Sequence, residues 1–240
     1  MIRTVFIDLD DTLWATQDNN RDSLEEVYRH HKWADRAGSF DSFFEVYRPH
    51  NDRLWALYRE GTITKQELTL RRFREPLEPR LGKLTDEQIL KINEEFLRRS
   101  SEKKKLMPGA LQLLQALKPL YRIVIVSNGF REVQTRKMES AGILPYIDAT
   151  VLSEDAQANK PKKEFFAYAF SVSHTRPSEV ILIGDSWDAD IIGAQNAGVP
   201  AIWYNPAKLP RPTLQTLRAP IYEVGHLDEV PPLLTQLRTC

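Results

Sequence analysis

Short apolar runs and helix-spaced segments alternate along most of this 240-residue chain, and that alternation limits the folds open to it. Apolar or β-branched runs stand at Thr4–Ile7, 122–126, Ala149–Leu152, 180–183 and Ala201–Tyr204. Segments at 108–117, 133–141, 164–170 and 189–197 separate the later ones and have helical spacing. Pro108 opens the first of these segments, and Gly142 and Gly198 stand just past the ends of two others, as helix starts and stops require. Strands joined through helices run parallel with right-handed crossovers, so the expected fold is α/β, a doubly wound parallel sheet.

One stretch breaks the pattern. Residues 15–104 hold 18 basic and 17 acidic residues but only three of the ten glycines. Leu24, Val27, Tyr28 and His31 recur at helical spacing there, as do Leu54, Leu57 and Tyr58. Thr85 and Gln88 resemble a capping box ahead of Ile89, Ile92 and Phe96. The segment reads as a helical module whose charges form a solvated face. The expected organisation is a core domain of residues 1–14 and 105–240, with residues 15–104 inserted after the first strand. That agrees with a length of about one and a half typical domains.

Composition removes several classes. Thirty-three basic residues balance thirty-three acidic ones, so the surplus of cations that nucleic-acid binding needs is missing. Hydrophobic content of 42% with 28% charged residues is globular. Apolar runs such as Ile123-Val124-Ile125-Val126 are far shorter than the roughly 20 residues of a membrane span. Asp8 arrives too early for the apolar stretch of a signal peptide. The single cysteine, Cys240, rules out an internal disulfide framework. A soluble, cytoplasmic protein with no membrane and no nucleic-acid partner is expected.

The placement of polar residues points to chemistry. In a parallel sheet, ligands bind beyond the carboxyl ends of the strands. The first run ends in Asp8-Leu9-Asp10-Asp11-Thr12, the second in Ser127-Asn128-Gly129, and the fourth in Gly184-Asp185-Ser186, while Lys160-Pro161 follows the third. Carboxylate oxygens suit Mg²⁺, a hard cation. A hydroxyl, an ammonium and backbone amides beside them suit phosphate oxygens. The physical reading is a magnesium-dependent phosphoryl-transfer site. An EF-hand is excluded, because Thr12, Leu13 and Asn19 occupy its fifth, glycine and twelfth positions. Ser186 and Asp188 suit helix N-caps better than ligands, and the five histidines show no zinc-ligand spacing.

Asp8-x-Asp10-x-Thr12, Ser127, Lys160 and Gly184-Asp185-x4-Asp190 occur in the order of the four motifs of the haloacid dehalogenase-like hydrolases, which the whole chain resembles. The resemblance implies a Rossmann-like core with a helical C1 cap at 15–104. It implies that Asp8 is the nucleophile and that Asp10 is general acid and then general base. Mg²⁺ would sit on Asp8, the Asp10 carbonyl and Asp185, and Ser127, Asn128 and Lys160 would bind phosphate. Thr12 and Asp190 would stand behind these, Asp190 orienting Lys160 or a metal-bound water. The family's dehalogenases lack the second aspartate, so Asp10 and Asp185 speak against that activity. A phospho-accepting receiver is about half this length, has no cap and phosphorylates a middle strand.

The stretch Ser127-Asn128-Gly129-Phe130-Arg131-Glu132-Val133-Gln134 is similar to the house-cleaning pyrimidine 5′-nucleotidases within that family. So are Leu54-Trp55, Tyr58-Arg59, Gly61, Ile63-Thr64 and Arg72-Phe73. The resemblance departs at Gln157-Ala158-Asn159. It implies a nucleoside monophosphate as substrate, with phosphoglycolate or another sugar phosphate as the alternative. A cap closing over the rim would read the leaving group, and Trp14, Asn51 and Trp55 suit a base. Equally, Trp55 would serve as cap core and Trp14 as hinge packing.

Overall fold

The computed structural model describes residues 1–239, so Cys240 and the expectation attached to it lie outside the described residues. The chain divides into two compact units: Met1–Thr16 with the residues from Lys104 on, and Gln17–Lys103. Strand β1 (Thr4–Ile7) is followed by the helices α1 (Thr16–His30), α2 (Ala34–Ala37), α3 (Phe40–Glu60), α4 (Lys65–Leu81) and α5 (Asp86–Ser101). The chain then continues through α6 (Ala110–Leu117), β2 (Arg122–Ser127), α7 (Arg131–Ser140), β3 (Ala149–Leu152), α8 (Ser153–Ala156) and α9 (Lys163–Ser173). It ends with β4 (Val180–Gly184), α10 (Ile192–Ala197), β5 (Ala201–Tyr204), β6 (Ile221–Val224) and α11 (Val230–Thr239).

The six strands form one sheet in the order β3-β2-β1-β4-β5-β6, with every neighbouring pair parallel. Successive side chains point to opposite faces, and both faces are covered. Val5, Ile7, Ile123, Ile125, Ile181 and Ile183 enter one core with residues of α6 and α11. Phe6, Val124, Val126, Val180 and Leu182 enter the other with Phe165, Phe166 and Ala194 of α9 and α10. A strand buried on both faces has no polar positions, which is why these runs are unbroken in sequence.

The sequence reading found five strands, and the sheet has a sixth. β6 pairs with β5, yet only its Val224 is buried. The connection 205–220 carries Pro206, Pro210, Pro212 and Pro220 and forms no helix, so the alternation that reveals the other strands is absent there. One helix also differs from expectation. The segment 189–197 begins as a wide π-helical turn, Trp187–Ile191, which Ser186 caps by accepting from Ala189 N, before α10 takes over.

In the second unit, Leu24, Tyr28, Phe43, Tyr47, Phe73, Leu77, Ile89 and Phe96 form its own core. Capping boxes start α4 (Thr64 with Glu67) and α5 (Thr85 with Gln88). Its outer charges pair at helical spacing, as in Arg71 with Glu75 and Lys91 with Glu87. Among the described residues no helix is long and apolar enough to cross a membrane.

Candidate active site

Strand order reverses at β1: the chain moves outward through β2 and β3, then returns to place β4 on the other side of β1. At such a switch point the loops from adjacent strands diverge and leave room for a ligand. Asp8, Ser127 and Asp185 come from the carboxyl ends of the three central strands. Asp8 continues the ladder of β1, its N donating to Ile183 O at 2.9 Å. Leu9 is buried in the core between two aspartates, and Leu13 N and Trp14 N both donate back to its carbonyl, so the chain curls directly after the strand. Asp11 takes a left-handed conformation (φ 60°) in this curl, which aspartate tolerates better than most residues.

Lys160 is the hub. It is 1% exposed, and its ammonium donates to Asp8 Oδ1 at 2.6 Å, Asp190 Oδ1 at 2.6 Å and Val126 O at 2.7 Å. All three donors are therefore met, and the residue is no surface lysine at a helix start. Its backbone is held by Asn128, whose Oδ1 accepts from Lys160 N (2.8 Å) and whose Nδ2 donates to Lys160 O (3.0 Å). The Asn128 side chain thereby fixes the peptide on which Lys160 stands. Gln157, where the family resemblance breaks, adopts φ 52°, and the loop still brings Lys160 inward.

Asp190 is pinned by Ser186 N on Oδ2 (3.1 Å) as well as by Lys160. Gly184 has no alternative here, because a Cβ would fall on the Asp190 carboxylate. Thr12 exchanges two hydrogen bonds with Asp185, accepting from its N (3.0 Å) and donating to its Oδ1 (3.1 Å). Oxygens of Asp8, Asp185 and Asp190 lie within 4.8 Å of one another. Three carboxylates against one ammonium leave a buried excess of negative charge, and a hard divalent cation fits this oxygen-only donor set. The excess is visible in the acidities. Burial pushes Asp8 up and Lys160 pulls it down; with repulsion from Asp190 and Asp10 added, its pKa stands at about 7. Burial, with Asp8 and Asp190 beside it, raises Asp185 well above the carboxylate range.

Asp10 has the opposite environment. Thr16 Oγ1 (2.9 Å) and Lys137 Nζ (2.6 Å) donate to its Oδ1, and Gln134 Nε2 (2.7 Å) to its Oδ2. Burial would raise its pKa, but the ammonium of Lys137 and the three donors outweigh that and hold it below the ordinary value. Gln134 Nε2 also donates to Ser127 Oγ at 2.6 Å, and Ser127 Oγ accepts from Gly129 N at 3.0 Å. Lys137 and Thr16 escaped the sequence reading. The available signal was that the inward face of α7 carries Gln134 and Lys137 between the apolar Val133 and Met138.

The expectation for Trp14 is corrected. It is fully buried in the first unit's core, and Lys137 Nζ stands 4.4 Å from its ring centroid, so the indole is a platform for that lysine and offers no face to a substrate. Asn51 and Trp55 lie one turn apart on α3 in the second unit; Trp55 stands edge-on to Tyr58. Asn51 Oδ1 is buried without a partner among the described residues. His30 and His31 do converge, on Glu95, at 2.7 and 2.9 Å. Arg99 already pairs with that carboxylate at 2.8 Å, and a guanidinium there opposes a metal ion.

A family model described as haloacid dehalogenase-like hydrolase matches residues 2–198. The chain is 34% identical over 188 residues to the pyrimidine 5′-nucleotidase YjjG of Escherichia coli, covering 77% of this chain and 79% of that protein. It is 32% identical over 178 residues to the pyrimidine 5′-nucleotidase PynA of Streptococcus pneumoniae, covering 73% of each. The crystal structure of the putative HAD-hydrolase YfnB from Bacillus subtilis, bound to magnesium, superposes with a TM-score of 0.85 at 28% identity, covering 98% of this chain and 99% of that one.

Proposed function

Because the chain belongs to the haloacid dehalogenase-like hydrolases, we propose that it is a Mg²⁺-dependent phosphatase acting on pyrimidine nucleoside 5′-monophosphates through an aspartyl-phosphate on Asp8. The observation that carries the reading is the contrast between its two strand-end aspartates. Asp8 shares Lys160 and the acidic cluster, whereas Asp10 has a separate set of donors. Two carboxylates two residues apart, each held by its own set of partners, suit two roles.

In the first half-reaction the Asp8 carboxylate attacks phosphorus, and the leaving oxygen departs with a proton from Asp10. In the second, Asp10 takes a proton from water, which attacks the aspartyl-phosphate and frees phosphate and Asp8. Ser127 and Asn128 hold the transferring group, and the Lys160 ammonium, fixed against Asp8, supplies positive charge beside it; positioned charge of this kind supplies most of the catalysis. Mg²⁺, held by Asp8, Asp185 and the Asp10 carbonyl with Asp190 beside them, would neutralise charge between the anionic ester and the anionic nucleophile. Asp10 is what a dehalogenase would not need. For substrate choice, Asn51 and Trp55 on α3 offer an amide and an indole suited to a base.

The pyrimidine assignment rests on the relatives named above, and a panel of phosphate esters tests it. With saturating Mg²⁺, kcat/KM for pyrimidine monophosphates is expected to exceed that for phosphoglycolate and sugar phosphates by about tenfold or more. A preference for phosphoglycolate would overturn the substrate, and no hydrolysis of any ester would overturn the activity.

Cation removal has its own signature. A carboxyl whose pKa is raised on folding binds its proton more tightly in the folded state. Asp8 therefore contributes stability that is whole below its unfolded value of about 4 and is lost as pH rises through about 7. Cation-free protein is expected to lose thermal stability between about pH 4 and 7, and Mg²⁺ to restore more at pH 8, where it need not displace protons. Melting temperatures with and without Mg²⁺ at about pH 5.5 and 8 check this. Equal gains at both would remove Asp8 and Asp185 from the cation site.

A further inference from the structure

The geometry points to Gln134 and Lys137 as positioning residues that hold the Asp10 carboxylate in one orientation and tie it to Ser127. The inference rests on the reading of Asp10 as the acid and base of the reaction, and it adds two residues that neither the strand-end motifs nor that reading contains.

Gln134 and Lys137 stand three residues apart on α7, so they share a face, and that face is turned inward: Gln134 is 0% and Lys137 7% exposed. Polar side chains so deeply buried are uncommon unless something requires them. Both reach Asp10, across 124 and 127 residues of chain. Lys137, beside Thr16, takes Oδ1 and Gln134 takes Oδ2, so both carboxylate oxygens are held, and the plane of the group is fixed along with its position. A single donor would leave the carboxylate free to rotate.

Two further contacts make the arrangement stiff. Gln134 Nε2 uses its second hydrogen on Ser127 Oγ, so one amide group spans the ends of β1 and β2. Lys137 lies over the buried ring of Trp14, which locates the ammonium at the end of a stem that would otherwise be flexible. Space is cleared for the amide: a Cβ at Gly129 would fall on Gln134 Nε2. Finally, Gln134 Oε1 is buried with no partner among the described residues. A glutamine that only filled space could satisfy its oxygen by turning over. Here the oxygen goes unmet while the nitrogen reaches Asp10 and Ser127, so the orientation is set by what the nitrogen must hold.

The test compares Lys137→Met, which keeps the stem and removes the donor, with Lys137→Arg and Asp10→Asn. Each is assayed with saturating Mg²⁺ on a pyrimidine monophosphate and, in single turnover, on p-nitrophenyl phosphate, whose leaving group needs no proton. Lys137→Met is expected to lower kcat on the nucleotide by about tenfold to a hundredfold, a part of the usual acid–base contribution, with KM changed by less than about threefold. The nitrophenolate burst should slow by less than about threefold, and Lys137→Arg should recover part of the nucleotide rate. In the Asp10→Asn background, Lys137→Met should cost nothing further. Gln134→Met repeats the measurement should Lys137→Met fail to fold, as judged by its melting temperature. Equal losses on both esters, or additive losses in the double variant, overturn the positioning role while leaving Asp10 in place. If Asp10→Asn itself fails to distinguish the two esters, the acid–base reading falls, and this inference with it.

Discussion

Replacing Asp8 by Asn is expected to reduce turnover to below about 1% of normal with Mg²⁺ saturating, because the amide keeps the shape of the carboxylate but has no charge with which to attack phosphorus. The loss should appear in kcat for every ester, activated or not, since all of them need the same nucleophile. Acid-quenched normal protein incubated with radiolabelled ester should carry base-labile phosphate on Asp8, and the variant should carry none. A variant retaining more than a few per cent of activity would mean that Asp8 only holds the cation. Hydrolysis would then proceed by direct attack of water.

Lys160→Met has the largest expected effect on stability. The ammonium is buried and donates to Asp8, Asp190 and the Val126 carbonyl, so nothing replaces it when it is removed. Breaking a buried ion pair by deleting one partner typically costs about 3–5 kcal/mol, because the surviving charges stay buried and unpaired. Here the survivors include Asp8, Asp185 and Asp190, which already crowd one another. Without the lysine, whose charge holds the Asp8 pKa down, that pKa rises further, so the destabilisation should grow as pH rises and shrink where the carboxyl can be protonated. Urea unfolding at two pH values measures it, and turnover should fall by at least about a hundredfold at the same time. Adding Asp190→Asn to Lys160→Met should recover part of the lost stability by removing one orphaned charge. A loss of less than about 1 kcal/mol would mean that Lys160 is not what holds these carboxylates together.

Much of the fold was legible because the signals are local. β1, β2, β4 and β5 are buried on both faces, and unbroken apolar runs follow directly from that. β6 lies at the sheet edge after a proline-rich connection, so neither burial nor a preceding helix announced it. The capping boxes of α4 and α5 depend on residues three apart, which sequence displays in full. The start of α10 does not: its π-helical first turn places Asp190 against Gly184 and Lys160, a demand made by tertiary neighbours and not by local propensity.

The same division runs through the site. Sequence alone determined that carboxylates, a hydroxyl and a lysine would gather at the carboxyl ends of parallel strands, because residue type and strand position are properties of short stretches. Only the tertiary structure decided how each group is employed. It spends the Asn128 amide on the Lys160 peptide, buries Trp14 beneath Lys137, and brings Lys137 to Asp10 across 127 residues. The reason is physical. A hydrogen bond is made or lost over a few tenths of an ångström, and for residues so far apart in the chain that distance is set by strand order and by the packing of α7 against the sheet. No spacing along the sequence encodes it.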